Sequence, residues 1–369
     1  MKINKYWLLL CIGLSGCIET FDPEIDKVEE GALVIEGLIT NESGPYEVKI
    51  SKSLSIEESG TGYERISDAN VIVRDKNGIT YSFEMTSPGI YKSNENEFIG
   101  EIGNGYQLIV EYNNSTYESS YEEILPNYAI DSVYGEFEYR AVQSETGEIT
   151  NQPFINIYAD INFPNNEYYY RYDWEATYKA ETPLQGSTIC WPPPINIPVS
   201  DLDPLKNCYI NETPNGLLRI FTSKGLTGTT FNKFLIYSVN PNKRLQIKYS
   251  PLIKQYSLSA EAYTFWNSIE NQSLSGGGLF DAPPTQIIGN IKNSTNDDEV
   301  VLGYFTASSV VNKRTFLLPS LVPELDHYAA DCSTVSGSPL SPPIVPPPSC
   351  CECTFLPFSS EQKPDFWID

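Results

Sequence analysis

The side chains best suited to chemistry in this chain are its cysteines. There are eight of them, against a single histidine, His327. Cys17 has the clearest setting. Met1-Lys2-Ile3-Asn4-Lys5 is a short basic start, Tyr6 to Leu14 is an apolar run, and Leu14-Ser15-Gly16-Cys17 closes it. A charged start, a short apolar stretch and small residues at the cut are the layout of a secretory signal peptide. The run is too short to cross a bilayer, which takes about 20 apolar residues. A cysteine at the end of such a segment resembles a bacterial lipobox, in which the sulfur takes lipid and the cysteine becomes the first mature residue. The plain alternative is an ordinary exported cysteine beside a different cut. Several acyl chains on Cys17 would hold the chain at a membrane, where one alone binds only marginally. The expectation is a protein anchored to lipid through Cys17 without spanning it.

Cys11 leaves with the leader, so six cysteines remain: Cys190, Cys208, Cys332, Cys350, Cys351 and Cys353. In an exported chain an even number points to disulfides. Cys190 with Cys208 closes the shorter loop and is the first pairing expected; the other four cannot be paired from spacing. A zinc site is the rival reading, but Cys350-Cys351-Glu352-Cys353 has no second Cys-x-x-Cys to complete a tetrahedron. No metal and no cofactor are expected. Nucleophilic catalysis would rest on His327 alone, beside no nucleophile motif, so a structural role is expected for it. Gly-x-Ser-x-Gly, His-Glu-x-x-His and phosphate-cradling Gly-rich loops are missing from the sequence. Carboxylates are too many to single out a glycosidase pair. Asn296-Asp297-Asp298-Glu299 lacks the spaced ligands of a calcium loop and reads as a solvated turn. The expectation is a protein that is not an enzyme.

The elements that would carry these residues are strands. The 25 Tyr, 27 Pro and 24 Gly among 369 residues suit many short strands joined by turns. The net charge of −24 argues against nucleic acid as a partner and against anionic lipid surfaces. After the leader (1–17), residues 18–31 form a tether carrying Glu19, Asp22, Glu24, Asp26, Glu29 and Glu30 against Lys27. Like charges keep such a segment extended. From Ala32 the pattern turns to strands: the apolar run Leu33 to Ile39, the alternating Tyr46 to Ile50, then Val71 to Arg74, an Asn77-Gly78 turn, Ile79 to Phe83, Gly89 to Tyr91, Tyr106 to Tyr112 and Thr116 to Ser119. Such spacing predicts an N-terminal Ig-like or transthyretin-like β-sandwich over 32–127.

A larger β-rich domain is expected over 128–369. Tyr168, Tyr170, Tyr172, Trp174, Ala176 and Tyr178 share one face of a strand, and Tyr169, Arg171, Asp173, Glu175, Thr177 and Lys179 the other. The aromatic face is either core or a sugar-stacking platform, and core is preferred because the polar face already meets solvent. Phe234 to Val239, Arg244 to Tyr249 and Val300 to Phe305 read as further strands of this domain. Ala262, Phe265, Trp266 and Ile269 repeat at helical spacing behind Ser259, a capping residue, which predicts one amphipathic helix packed on the second sheet. Two proline tracts, Trp191-Pro192-Pro193-Pro194 and Pro339 to Pro348, look like surface loops stapled by the cysteines that flank them. Trp191 is the candidate ligand-binding side chain. The fold class expected is all-β.

Several segments together resemble a known family: Ala32 to Asn41 with Gly44 to Ile50, Tyr249 to Ser259 with Ala262-Tyr263 and Phe265-Trp266, Gly289-Asn290-Ile291, Val301 to Phe305, Cys351-Glu352-Cys353 and Lys363 to Trp367. They look like a domain-of-unknown-function group of Bacteroidota lipoproteins, often encoded beside TonB-dependent outer-membrane transporters. The resemblance covers nearly the whole mature chain. It implies an outer-membrane lipoprotein facing outward, an accessory of a TonB-dependent transporter that captures substrate or gates its passage. It carries no chemistry with it, since the group has no established activity. The acidic tether resembles signals that send such lipoproteins to the outer face, and a plain solvated linker is the equal alternative. Asp131-Ser132-Val133 resembles their short O-glycosylation motif. A stand-alone glycan-binding or adhesive module, with a glycan or peptide ligand, and a surface hydrolase are the other two readings.

Overall fold

The computed structural model describes residues 31–53, 63–95, 98–144, 146–164, 166–182, 207–213, 218–274, 286–323 and 347–368. Among them the chain first forms β1 (Leu33–Thr40), β2 (Glu47–Ser53), β3 (Tyr63–Arg65), β4 (Asn70–Asp75), β5 (Thr80–Ser87), β6 (Ile90–Ser93), β7 (Gly105–Tyr112), β8 (Ser115–Ser119) and β9 (Glu122–Glu123). Then come β10 (Ile130–Gln143), β11 (Ile149–Asn162), β12 (Tyr169–Glu181), β13 (Asn207–Glu212), β14 (Arg219–Thr222), β15 (Thr230–Val239) and β16 (Lys248–Leu258). The helix α1 (Ala260–Leu274) follows, and after it β17 (Ile291–Asn293), β18 (Val301–Leu302), β19 (Phe305–Ser308), β20 (Val310–Arg314) and β21 (Ser359–Ser360). Among the described residues α1 is the one α-helix, beside three single 3-10 turns, and the fold class is all-β.

Alternation builds the first body. In β4 the side chains of Val71, Val73 and Asp75 turn inward while their neighbours turn out. The Asn77-Gly78 turn forms as expected, with Arg74 opposite Thr80. The Asp75 carboxylate accepts the N–H groups of Asn77 and Ile79 at 2.9 and 2.8 Å, and Gly78 takes φ +86°. β1 to β9 do not close among themselves. They join β17, β18 and β19 in one 12-stranded sheet. Its ends meet where β17 pairs β8 and Ile288 bridges to Leu302, so the sheet curls around one core. Ile35, Ile50, Val71, Leu108, Val110 and Phe305 lie in that core.

Val300 to Phe305 therefore corrects one expectation. The strands are there, but they run parallel to β1 in the first body, with Leu33 opposite Val301 and Gly37 opposite Phe305. Gly303 makes the return close. It takes φ +89°, and a Cβ there would lie 2.1 Å from the Ile35 carbonyl oxygen. Gly37 leaves room for the Phe305 ring in the same way, with 3.0 Å from the ring to an added Cβ.

The second body is two packed sheets. β10, β11 and β15 make the smaller one; β20, β16, β12, β13 and β21 make the larger, with β14 also on β12. Ile155, Ile157, Ala159 and Ile161 of β11 share a core with Tyr170, Tyr172, Trp174, Ala176 and Tyr178 of β12. Trp174 stacks on Tyr237 with ring centroids 4.0 Å apart, a geometry worth about 0.5–1.5 kcal/mol beyond its burial. The buried Tyr172 hydroxyl donates to Gln255 Oε1 at 2.6 Å. The helix is capped as its sequence predicts, Ser259 Oγ accepting the Ala262 N–H at 3.1 Å. Its buried Ala262 and Phe265 cluster with Ile220 and Leu258 of the larger sheet, and also with Tyr304 of the first body.

Gly303→Ala is expected to lower the stability of the chain by about 2 kcal/mol or more, because backbone strain and the Ile35 contact add. Gly78→Ala, with nothing within 4 Å of its added Cβ, is expected to cost only the strain of its positive φ, about 1 kcal/mol. Denaturant midpoints of the two variants compare them directly. Equal losses would mean that the close return onto β1 carries no weight.

Candidate functional site

Among the described residues, two of the places where polar side chains gather from several elements also border a cleft or cavity. The first is the seam between the bodies. Glu122, on β9, is 4 % exposed. Its carboxylate accepts the Tyr304 hydroxyl at 2.7 Å, Ser259 Oγ at 2.9 Å and Asn290 Nδ2 at 3.2 Å. Asn290 also holds Phe305, giving its amide to the Phe305 carbonyl and taking the Phe305 N–H, both at 2.9 Å. Burial raises the Glu122 carboxyl above its ordinary value, and the three donors pull the other way. Burial and the neighbouring carboxylate push the Tyr304 phenol up. With its oxygens taken by protein donors and closed to solvent, Glu122 acts as a latch rather than as a base for an outside substrate.

The latch continues along the linker. Ser309 Oγ and Ser257 Oγ both donate to the Leu125 carbonyl, at 2.5 and 3.0 Å. The Asn127 amide donates to the carbonyls of Gln255 and Ser309, and Gln255 Nε2 returns bonds to Asn127 Oδ1 and the Tyr128 carbonyl. Beside this network lies a cleft of about 240 Å³ that includes Pro126, Glu167, Tyr168, Tyr169 and Ala260.

The second place is on the outer face of the first body. There Val34 and Glu36 of β1, Lys49 and Ser51 of β2, and Tyr63 and Arg65 of β3 frame a cavity of about 360 Å³, with the Pro88-Gly89 turn at its side. Ile35 and Ile50 face the core, so the alternating neighbours must face outward. Gly89 brings the turn in close: a Cβ at its φ of +73° would meet the Ile50 carbonyl oxygen at 2.8 Å. Glu36 supplies an acceptor, Lys49 and Arg65 supply donors, and the Tyr63 ring supplies a face. Such a set suits binding. Nothing in the sequence marks these residues beyond the short alternation Tyr63-Glu64-Arg65.

The residues singled out by sequence fare as follows. Cys17, Cys190, Trp191, His327 and Cys332 lie outside the described residues. Cys208 is bonded to Cys353 and not to Cys190, which overturns the pairing expected from loop length. The physical reason is the return of the C-terminal segment onto β13. Tyr209 lies opposite Ser360 in the ladder, and the buried Trp367 packs 5.1 Å from the Tyr209 ring. Cys350 and Cys351 are also in disulfides. The aromatic face of β12 is core: Tyr170, Tyr172, Trp174 and Tyr178 are buried. Glu299 of the acidic turn accepts the Tyr117 hydroxyl at 2.9 Å and the Asn293 amide at 2.6 Å. Among the described residues no three His, Cys, Asp or Glu side chains gather as a metal site. Ser132 donates its hydroxyl to Asp160 at 2.8 Å.

The raised carboxyl of Glu122 has a signed consequence. Between the ordinary carboxylate range and the raised native value, the folded chain keeps a proton that the unfolded chain has lost. The Glu122 contribution to stability is therefore full below that window and falls as pH rises through it. Unfolding midpoints of the native protein and of Glu122→Gln, taken from about pH 4 to 7, should show the native protein losing ground to the variant as pH climbs. A constant difference across that range refutes the shift.

No curated protein matches this chain. The model of one family, described as Domain of unknown function (DUF4249), matches residues 18–314, most of the chain. The protein belongs to that uncharacterised family.

Proposed function

We propose that the protein is a lipid-anchored protein of a bacterial outer membrane, of the kind found in the Bacteroidota, facing outward. It works without catalysis as an accessory of a TonB-dependent transporter, capturing substrate or gating its passage into the barrel. The observation that carries this reading is where the family match begins. It starts at residue 18, directly after Cys17. The family's own sequence thus takes over at the point where the leader-like segment Met1 to Cys17 stops. The acidic run from Glu19 to Glu30 then separates the anchor from β1. The latch between the bodies supports the same reading, since a rigid body on a tether can sit over a membrane pore as one piece. A stand-alone ligand-binding module is the second reading, favoured by the surface cavity around Tyr63.

Growth with an alkynyl fatty acid should label the native protein, and Cys17→Ala should fall to background. Cross-linking in intact cells, followed by mass spectrometry in detergent, should enrich a TonB-dependent barrel. Label that survives in Cys17→Ala removes the anchor, and a cross-linked set without any barrel removes the transporter.

A further inference from the structure

We infer that the cavity around Tyr63 is a saccharide-binding site, taking a neutral sugar ring against the Tyr63 face. The inference rests on the ligand-capture part of the reading above and names the class of ligand. It starts from β3. All three side chains of this strand, Tyr63, Glu64 and Arg65, are exposed, so β3 adds nothing to the core. It pairs with β2, Arg65 opposite Ser51 and Tyr63 opposite Ser53. What β3 does is present side chains. Tyr63 is 60 % exposed, large for an aromatic ring on a strand. Arg65 lies over that ring at 5.5 Å and donates Nη2 to the Tyr63 hydroxyl at 3.3 Å. The two side chains steady each other at the rim.

The lining then selects the ligand. Glu36 only accepts hydrogen bonds, while Lys49 and Arg65 only donate them. Lys49 is also within 3.3 Å of Glu47, which Lys92 approaches at 3.2 Å. An anion would meet the cations but face Glu36 and Glu47, on a chain whose net charge is −24. A cation would meet the two carboxylates but face Lys49 and Arg65. An apolar ligand would strip water from all of these charges without replacing it. A sugar meets every condition. Each hydroxyl both donates and accepts, so one ring serves Glu36 and Arg65 together, and its C–H face lies on the Tyr63 ring. The volume, about 360 Å³, falls at the lower end of small-molecule sites, roughly 300–1,000 Å³.

Saturation-transfer NMR on the full-length protein in dodecyl dimethylamine-oxide micelles, a detergent without sugar, tests this. The probes are maltohexaose, cellohexaose, xylohexaose and mannohexaose, with an oligogalacturonate and trialanine beside them. At least one neutral hexaose should receive saturation, and its affinity should drop about tenfold or more in Tyr63→Ala and in Arg65→Ala. Tyr121→Ala, an exposed tyrosine outside the cavity, should bind as the native protein does, and all three variants should melt with it. Saturation of no neutral hexaose, of the acidic oligomer or the peptide alone, or binding unchanged by Tyr63→Ala overturns the assignment. The measurement needs neither lipid on Cys17 nor a transporter, so its failure is distinct from theirs.

Discussion

The structure depends on the parallel return of β18 and β19 onto β1. Leu33 to Thr40 would otherwise be an edge, a row of unpaired backbone groups beside β2. Residues 301–308 fill that edge after the chain has passed through β10 to β16 of the second body. Parallel neighbours need a long crossover, and here the crossover is most of the protein. The consequence is mechanical. Neither the first body's sheet nor its core is complete until the late strands arrive, with Phe305 and Ala307 buried among Ile35, Val48 and Ile50.

Once β19 lies on β1, β20 starts within two residues and belongs to the second body's larger sheet. Ser308 and Ser309 sit at this crossing and are buried. They are bound to Ser257 and Leu125, so the crossing of the late strands is tied to the linker of the early ones. Buried hydroxyls and amides of this kind stabilise little on net, yet each is costly to leave unpaired. They therefore fix one relative placement of the bodies. Glu122 extends the same logic to a carboxyl group, and Ser259 joins it to the cap of α1. Arg171 pins the other end of this region, its guanidinium 4.8 Å from the Tyr256 ring and 4.7 Å from Trp266 of the helix.

The surface is a separate matter. Ion pairs such as Lys76–Glu123 and Lys233–Glu136 are exposed on both sides; pairs of this kind contribute about 0–1 kcal/mol. The excess of carboxylates belongs to solubility and to choice of partner, not to the fold. Against that background the cations Lys49 and Arg65, gathered with Glu36 around an exposed tyrosine, stand apart.

Local pattern was enough for much of this. The period-two run from Tyr168 to Lys179 determined β12 and which of its faces is core, because a pleated strand sends alternate side chains to opposite sides. Asn77-Gly78 determined a hairpin, and Ser259 with Ala262 and Phe265 determined where α1 starts and which face it buries. Only the tertiary structure decided who pairs with whom. Val301 to Phe305 reads as a strand in any context, but its partner is set by Gly37 and Gly303, which allow a close approach that no local rule contains. Cys208 bonds Cys353 because the chain end returns to β13, although Cys190 is nearer in sequence. Glu122 reads as one acid among many until Tyr304, Ser259 and Asn290 converge on it from three distant segments. Spacing along the chain sets which way a side chain points; what it meets there depends on which surfaces bury each other best.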